Sequence, residues 1–130
     1  MHRQKMLSCA LLLAALACVA CSPSPPPKKC TDAIGCVEIA PGAPVKLGVI
    51  QSLSGQVATL GTEQLRGLEL ALDRRGKALR GHPVALNIQD TGCAPEGGAN
   101  AALKVVADAQ TVAIFGTTCS SAAATAAKVM

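Results

Sequence analysis

From Val45 onward the apolar positions switch between two periods. Val45-Lys-Leu-Gly-Val-Ile is a short apolar-rich run that predicts a first strand, and a loop follows over 51–61 carrying Ser52, Ser54, Gly55 and Thr59. Between Thr62 and Arg75 the spacing becomes helical: Leu65, Leu68 and Leu72, joined by Ala71, fall on one face. Arg74 and Arg75 suit the negative end of that helix's dipole, and Gly76 can take the left-handed conformation that closes it. Val84-Ala-Leu-Asn-Ile-Gln alternates apolar and polar, which predicts an edge strand with a half-exposed face. Pro95 opens a second helix, with Ala99, Ala102, Leu103 and Val106 on its expected buried face. Val112-Ala-Ile-Phe is continuously apolar and predicts an interior strand, after which Ser120 or Ser121 is expected to cap a third helix.

The order βαβαβα predicts an α/β fold, because right-handed crossovers between successive strands build a parallel, doubly wound sheet with helices on both faces. An edge-like second strand and an interior third strand fit the spatial order 2-1-3. In such sheets a ligand binds beyond the carboxyl ends of the strands where the order reverses, here between the first and third strands. The loops that meet there are 51–61 and 116–121, both rich in Ser, Thr and Gly. The second runs straight into a helix, so free backbone N–H groups and the positive end of a dipole gather at one point, which suits a carboxylate. The sequence reaches Met130 about two turns later, which points to a piece of a longer protein. Residues 45–130 taken alone would leave the third strand as an exposed apolar edge.

The residues before Val45 change the picture of where the protein works. Met1-His-Arg-Gln-Lys is basic, and the Leu/Ala-rich run from Met6 to Ala20 is shorter than the roughly 20 residues a membrane span needs. It matches a secretory signal peptide over 1–20. Cys21 follows Val19-Ala20 and precedes Ser22-Pro-Ser-Pro-Pro-Pro, a pattern similar to a bacterial lipoprotein signal in which Cys21 becomes the lipidated first residue. Cys18 stands three positions earlier, where Leu is usual, and fits less well as the acceptor; an ordinary leader leaving Cys21 as a free thiol is the alternative. Residues 21–44 then supply the lipidated Cys, a Pro/Ser-rich and basic spacer that is extended and semi-rigid, and a small loop.

Four cysteines remain beyond Cys21, namely Cys30, Cys36, Cys93 and Cys119, and an even number in an exported chain suggests two disulfides. Proximity joins Cys30 to Cys36 and leaves Cys93 for Cys119. Those last two follow the second and third strands, so a bridge between them would cross over the first strand and stiffen the rim of the site. Zinc is the competing use, but no His lies nearby and neither pair has CxxC spacing. Removing Arg3 and Lys5 with the leader leaves ten Lys/Arg of the twelve against eight Asp/Glu, a net of +2. No basic cluster or aromatic platform appears, Phe115 being the only ring of the Phe/Tyr/Trp type, so nucleic acid is not an expected partner. His82, next to Pro83, reads as a surface turn away from the carboxyl edge, and Asp90 as a structural acceptor for loop N–H groups around Cys93.

Val45-Lys-Leu-Gly-Val-Ile-Gln-Ser-Leu-Ser-Gly, then Gly61, Gly67 and Ala71, then Gln89-Asp-Thr-Gly-Cys-Ala-Pro, then Gly116-Thr-Thr-Cys-Ser-Ser resemble the leucine/isoleucine/valine-binding proteins, type I periplasmic substrate-binding proteins of ABC transporters. The resemblance covers 45–130 and implies part of the N-terminal lobe of a two-lobed protein, with the ligand held in the cleft between lobes. It also places a family disulfide on Cys93 and Cys119. It assigns Ser120 to the ligand's α-carboxylate through backbone N–H and hydroxyl, beside Cys119, and it sets Leu60 and Thr118 against the rest of the ligand. Leu60 stands where an aromatic ring is frequent and Thr118 where an apolar residue is, so a Leu/Ile/Val ligand does not follow. Ser54 and Gly55 are expected to shape the first turn. The function implied is an extracytoplasmic, lipid-anchored binding protein for amino acids or amides, docking on an ABC permease in the membrane, with no cofactor, metal or nucleic acid required. A ligand-sensing receptor domain of the same fold is the alternative. An exported α/β enzyme fits least, since the chain has no nucleophile–His–acid set, no phosphate loop and no GxGxxG.

Overall fold

The computed structural model describes residues 29–130. The signal peptide expected over 1–20, the lipidation expected at Cys21 and the spacer up to Lys28 lie outside the described residues. Residues 34–130 form one compact unit, and the helices and strands of the described residues all belong to it. In chain order these are β1 (Val45–Gln51), α1 (Ala58–Arg74), β2 (Ala78–Leu79), β3 (His82–Asp90), α2 (Pro95–Val106), β4 (Thr111–Gly116) and α3 (Ser120–Ala126). Among the described residues no helix is long and apolar enough to cross a membrane.

The sheet runs β2-β3-β1-β4. β1 pairs in parallel with β3 from Val45↔Val84 to Gln51↔Asp90, and with β4 from Leu47↔Ala113 to Ile50↔Gly116 beyond a register shift at Lys46/Leu47. The three long strands therefore have the expected 2-1-3 order, with the carboxyl ends of all three at one edge. β4 lies at the border of the described sheet, with Val112 and Phe115 exposed by 39% and 42%, the apolar edge expected of these residues alone. β2 is an addition: two residues pair antiparallel with the start of β3 through Ala78↔Pro83 and Leu79↔His82. That small hairpin turns through Arg80 and Gly81 at φ 51° and 86°. It also corrects the expectation for His82, which opens a strand rather than sitting in a turn.

The core explains which helix faces are buried. α2 buries Gly98, Ala101, Ala102 and Val105, whereas Leu103 and Val106, both expected inside, are 54% and 39% exposed. The reason lies in two glycines. A methyl group on Gly48 of β1 would lie 2.2 Å from Val105 Cγ1, and one on Gly98 would lie 2.3 Å from the Ala122 carbonyl oxygen. Val105 thus fills the space above Gly48, and α3 closes directly on the backbone of α2, turning Leu103 outward. Ile50, Ala101, Ala102, Val105 and Ala126 form the core, with Ile114 and Val129 packed on it. Burial of Ile50 and Val105 stabilises by about 1.5–3 kcal/mol each, while the alanines contribute mainly close approach.

On the opposite face α1 buries only Gly61 and Leu72. Leu65 and Leu68 are half-buried and Ala71, expected on the packed face, is exposed. The helix begins at Ala58, four residues before the expected start, on a turn in which the Ala58 N–H donates to Gly55 O at 3.3 Å. Its end is as the sequence implies. The Gly76 N–H reaches Asp73 O at 3.0 Å and the Lys77 N–H reaches Leu72 O at 2.8 Å, with Gly76 at φ 65°. This is the paired closure that a left-handed glycine allows.

Candidate functional site

The carboxyl edge is assembled from polar residues that are unusually well buried. Gln51 ends β1 and Ser52 follows it, with exposures of 1% and 0%, and Thr91 just past β3 is 2% exposed. Buried polar groups are costly unless bonded, and these are bonded to one another. The Thr91 N–H donates to Gln51 O at 2.9 Å, and the Ser52 and Thr91 hydroxyls lie 3.0 Å apart. Among the described residues no buried side-chain nitrogen or oxygen lacks a partner. Each following helix is pinned to its strand end through a glycine. A methyl on Gly61 would lie 1.9 Å from Ser52 O, and one on Gly97 would lie 1.9 Å from Thr91 O.

The loops are then tied across the sheet. Asp90 Oδ1 accepts the Leu53 N–H and the Gly92 N–H, both at 2.8 Å. Burial pushes its carboxyl upward, but hydrogen bonds from the Ser54 side chain and from the Gly92, Leu53 and Ser54 N–H groups outweigh it and hold the group below its ordinary value. Asp90 thus joins the loop after β3 to the loop after β1, a wider reach than the bonding around Cys93 expected for it. Cys93 and Cys119 form the expected disulfide with Cα atoms 5.4 Å apart, and Cys119 Sγ lies 3.7 Å from Ser52 Oγ, over the end of β1. Cys30 and Cys36 are both disulfide-bonded as well, which leaves none of the four thiolates for a zinc site. Among the described residues no cluster of His, Cys, Asp and Glu could hold a metal.

Thr118 is the hub of the rim. Its hydroxyl accepts the Ser52 N–H at 3.0 Å and lies 2.7 Å from Gln51 Oε1 and 2.8 Å from Gln64 Oε1. The loop after β4 is thereby fastened to the end of β1 and to α1. Thr117 Oγ1 donates to Cys119 O at 2.8 Å, and Ser121 Oγ donates to Cys93 O at 3.2 Å. The cap expected from Ser120 or Ser121 is not formed. Cys119 is the N-cap of α3 with no side-chain cap bond, because Ser121 is turned to the Cys93 loop and Ser120 stands exposed as the first helical residue.

Thr118, Cys119 and Ser120 are therefore brought together, and Leu60 joins them indirectly. It is 59% exposed and lies one turn before Gln64 on the same face of α1. Gln51, Gln64 and Thr91 are rim residues that pattern reading missed. Gln51 had one visible signal, a polar side chain ending an apolar strand. His82 stays away from the rim, its Nδ1 2.9 Å from Ala43 O.

Residues 44–130 match the model of the periplasmic binding protein family. The chain belongs to that family. Membership implies an extracytoplasmic location. No curated protein matches the chain. Among solved structures it is similar to an ABC transporter substrate-binding protein from Sphaerobacter thermophilus, at 35% identity and TM-score 0.63 over 66% of this chain and 23% of that one. It is also similar to a leucine binding protein from Thermotoga maritima, at 26% identity and TM-score 0.61 over 65% and 24%. A solute binding protein of an ABC transporter from R. palustris, solved in complex with benzoate, aligns at 28% identity and TM-score 0.62 over 67% and 24%. The chain spans about a quarter of the length of these periplasmic binding relatives.

Proposed function

We propose that this chain is the N-terminal part of an extracytoplasmic solute-binding lipoprotein of an ABC importer, taking amino acids or related small carboxylates. The observation that carries this reading is the match to an ABC transporter substrate-binding protein at 35% identity, together with a family match over 44–130 that takes in every landmark of the rim. The names of two relatives add chemistry, since leucine and benzoate share a carboxylate and little else. In this chain the carboxylate would meet the exposed start of α3, accepting from the Ser120 N–H and hydroxyl, while Leu60 and Thr118 would border the rest of the ligand. Cys119 would act through its disulfide, which holds Ser120's loop over β1. A second lobe would close over the ligand and the closed form would dock on a membrane permease, with Cys21 anchoring the protein by lipid. No step makes or breaks a covalent bond in the ligand, and the rim has no nucleophile paired with a base.

The test is calorimetry on the protein expressed from the complete reading frame, titrated with amino acids, with benzoate and with their methyl esters. Binding of the acids and loss of at least about tenfold for the esters is expected, the scale of one charge-assisted hydrogen bond. Failure of every carboxylate to bind would sink the proposal. The 130 residues alone are expected to bind nothing measurably, and micromolar heat from an amino acid would overturn that.

A further inference from the structure

We infer that Gln64, oriented by Thr118 and Gln51, is a specificity-determining residue that favours ligands carrying a neutral hydrogen-bonding group, with a primary carboxamide as the best match. The inference rests on the reading of the rim as a carboxylate-ligand site and names the ligand's other end.

The valence of one hydroxyl sets the arrangement. Thr118 Oγ1 has one proton and two lone pairs. One lone pair takes the Ser52 N–H at 3.0 Å. Two carboxamides also touch it, Gln51 at 2.7 Å and Gln64 at 2.8 Å. The single proton can serve only one carbonyl, so the other glutamine must turn its NH2 toward the remaining lone pair. The hydroxyl is then saturated, and it fixes both amides in opposite senses. Gln51 is 1% exposed and directs its bonding inward. Gln64 is exposed, and whichever end it turns to Thr118, the other end of its amide makes no hydrogen bond to the described residues.

Leu60 lies one helical turn before Gln64 on the same face of α1, and Thr118 joins Gln64 to the loop that carries Ser120. A ligand held by its carboxylate at Ser120 would extend toward this side. A primary carboxamide has both a donor and an acceptor, so it satisfies either orientation of Gln64, whereas a hydrocarbon side chain would strip water from the amide and return nothing. An apolar side chain in place of Thr118 would remove this arrangement, since each of its bonds runs through the hydroxyl.

The experiment uses the protein from the complete reading frame and compares L-glutamine and L-asparagine with L-leucine by calorimetry. The better carboxamide should bind about tenfold tighter than leucine, the ratio that one net hydrogen bond supports. Gln64→Leu should reverse that preference. Thr118→Val should flatten the preference, and Thr118→Ser should restore it. A purely structural role for these residues would lower both affinities together and leave the ratio unmoved, which would overturn the inference. Leucine binding tighter than either carboxamide would overturn it too, while leaving the carboxylate-site reading in place. If no amino acid binds, this inference falls, while the carboxylate-site reading fails only if benzoate is refused as well.

Discussion

The two ends of the sheet are built from different materials. At the carboxyl edge, Gln51, Ser52 and Thr91 are almost fully buried and each is bonded across to another strand or loop, with a disulfide over the top. At the amino edge, Val37, Ile39, Val45, Leu79, Arg80, His82 and Val112 line an open groove of about 630 Å³. Nearby, Lys46 Nζ pairs with Asp108 Oδ2 at 2.7 Å, with both side chains more than a third exposed. The contrast teaches that order in this fold is concentrated where the strand order reverses. A binding rim must hold donors within a narrow tolerance, and here buried hydrogen bonds supply that stiffness.

Substitutions can break this asymmetry. The largest effect should come from Cys93→Ser with Cys119→Ser. Closing a loop over a sequence separation of 26 residues stabilises by about 3 kcal/mol, and urea denaturation of the double variant should show a loss of that size. Next comes Gly61→Ala. The added methyl would lie 1.9 Å from a backbone oxygen that cannot swing aside, so α1 must shift, at a cost of about 2 kcal/mol. A variant melting with the parent would show that α1 is not pinned to Ser52.

Smaller still is the effect of Asp90. Its carboxyl sits below its ordinary value because the opposing push of burial is outweighed by the hydrogen bonds it accepts. A depressed carboxylate adds stability that is fully present above the unfolded value, near 3.9, and is lost as pH falls through the lower folded value. Asp90→Asn should remove part of the acid-induced loss seen in melts below about pH 4. Asp108, lowered first by the hydrogen bond from Lys46, acts in the same direction at the other edge. The least change is expected from Lys46→Met, since exposed pairs contribute little. A melting shift larger than that of Asp90→Asn would invert the comparison.

Much of this architecture was legible in the sequence because its signals are local. Period-2 and period-3.6 runs placed the three long strands and the helices, and chain order with right-handed crossover arranged them. Gly76 announced the end of α1 through its own conformation. The failures share a different cause. Val105 rather than Leu103 faces inward because Gly48 leaves it room, and Gly48 lies 57 residues away in sequence. The Thr118 hub joins residues separated by 67, 66 and 54 positions, and nothing within a window of ten residues marks such a meeting. The cap assigned to Ser120 or Ser121 failed because the helix starts at Ser120, which puts Cys119, its sulfur held in the disulfide, at the cap position. The clamping role of Gly61 and Gly97 is visible only with Ser52 and Thr91 beside them.

Those two glycines have a practical consequence. Each clamps a helix to the backbone that follows its strand, through contacts no side chain takes part in. The loop segments 53–57 and 92–94 hang between fixed points that do not depend on their composition. A combinatorial library randomised over those segments, with Gly61, Cys93 and Gly97 held constant, should yield mostly folded members and sample many ligand chemistries. Freeing either glycine should lower the share of folded members before selection begins.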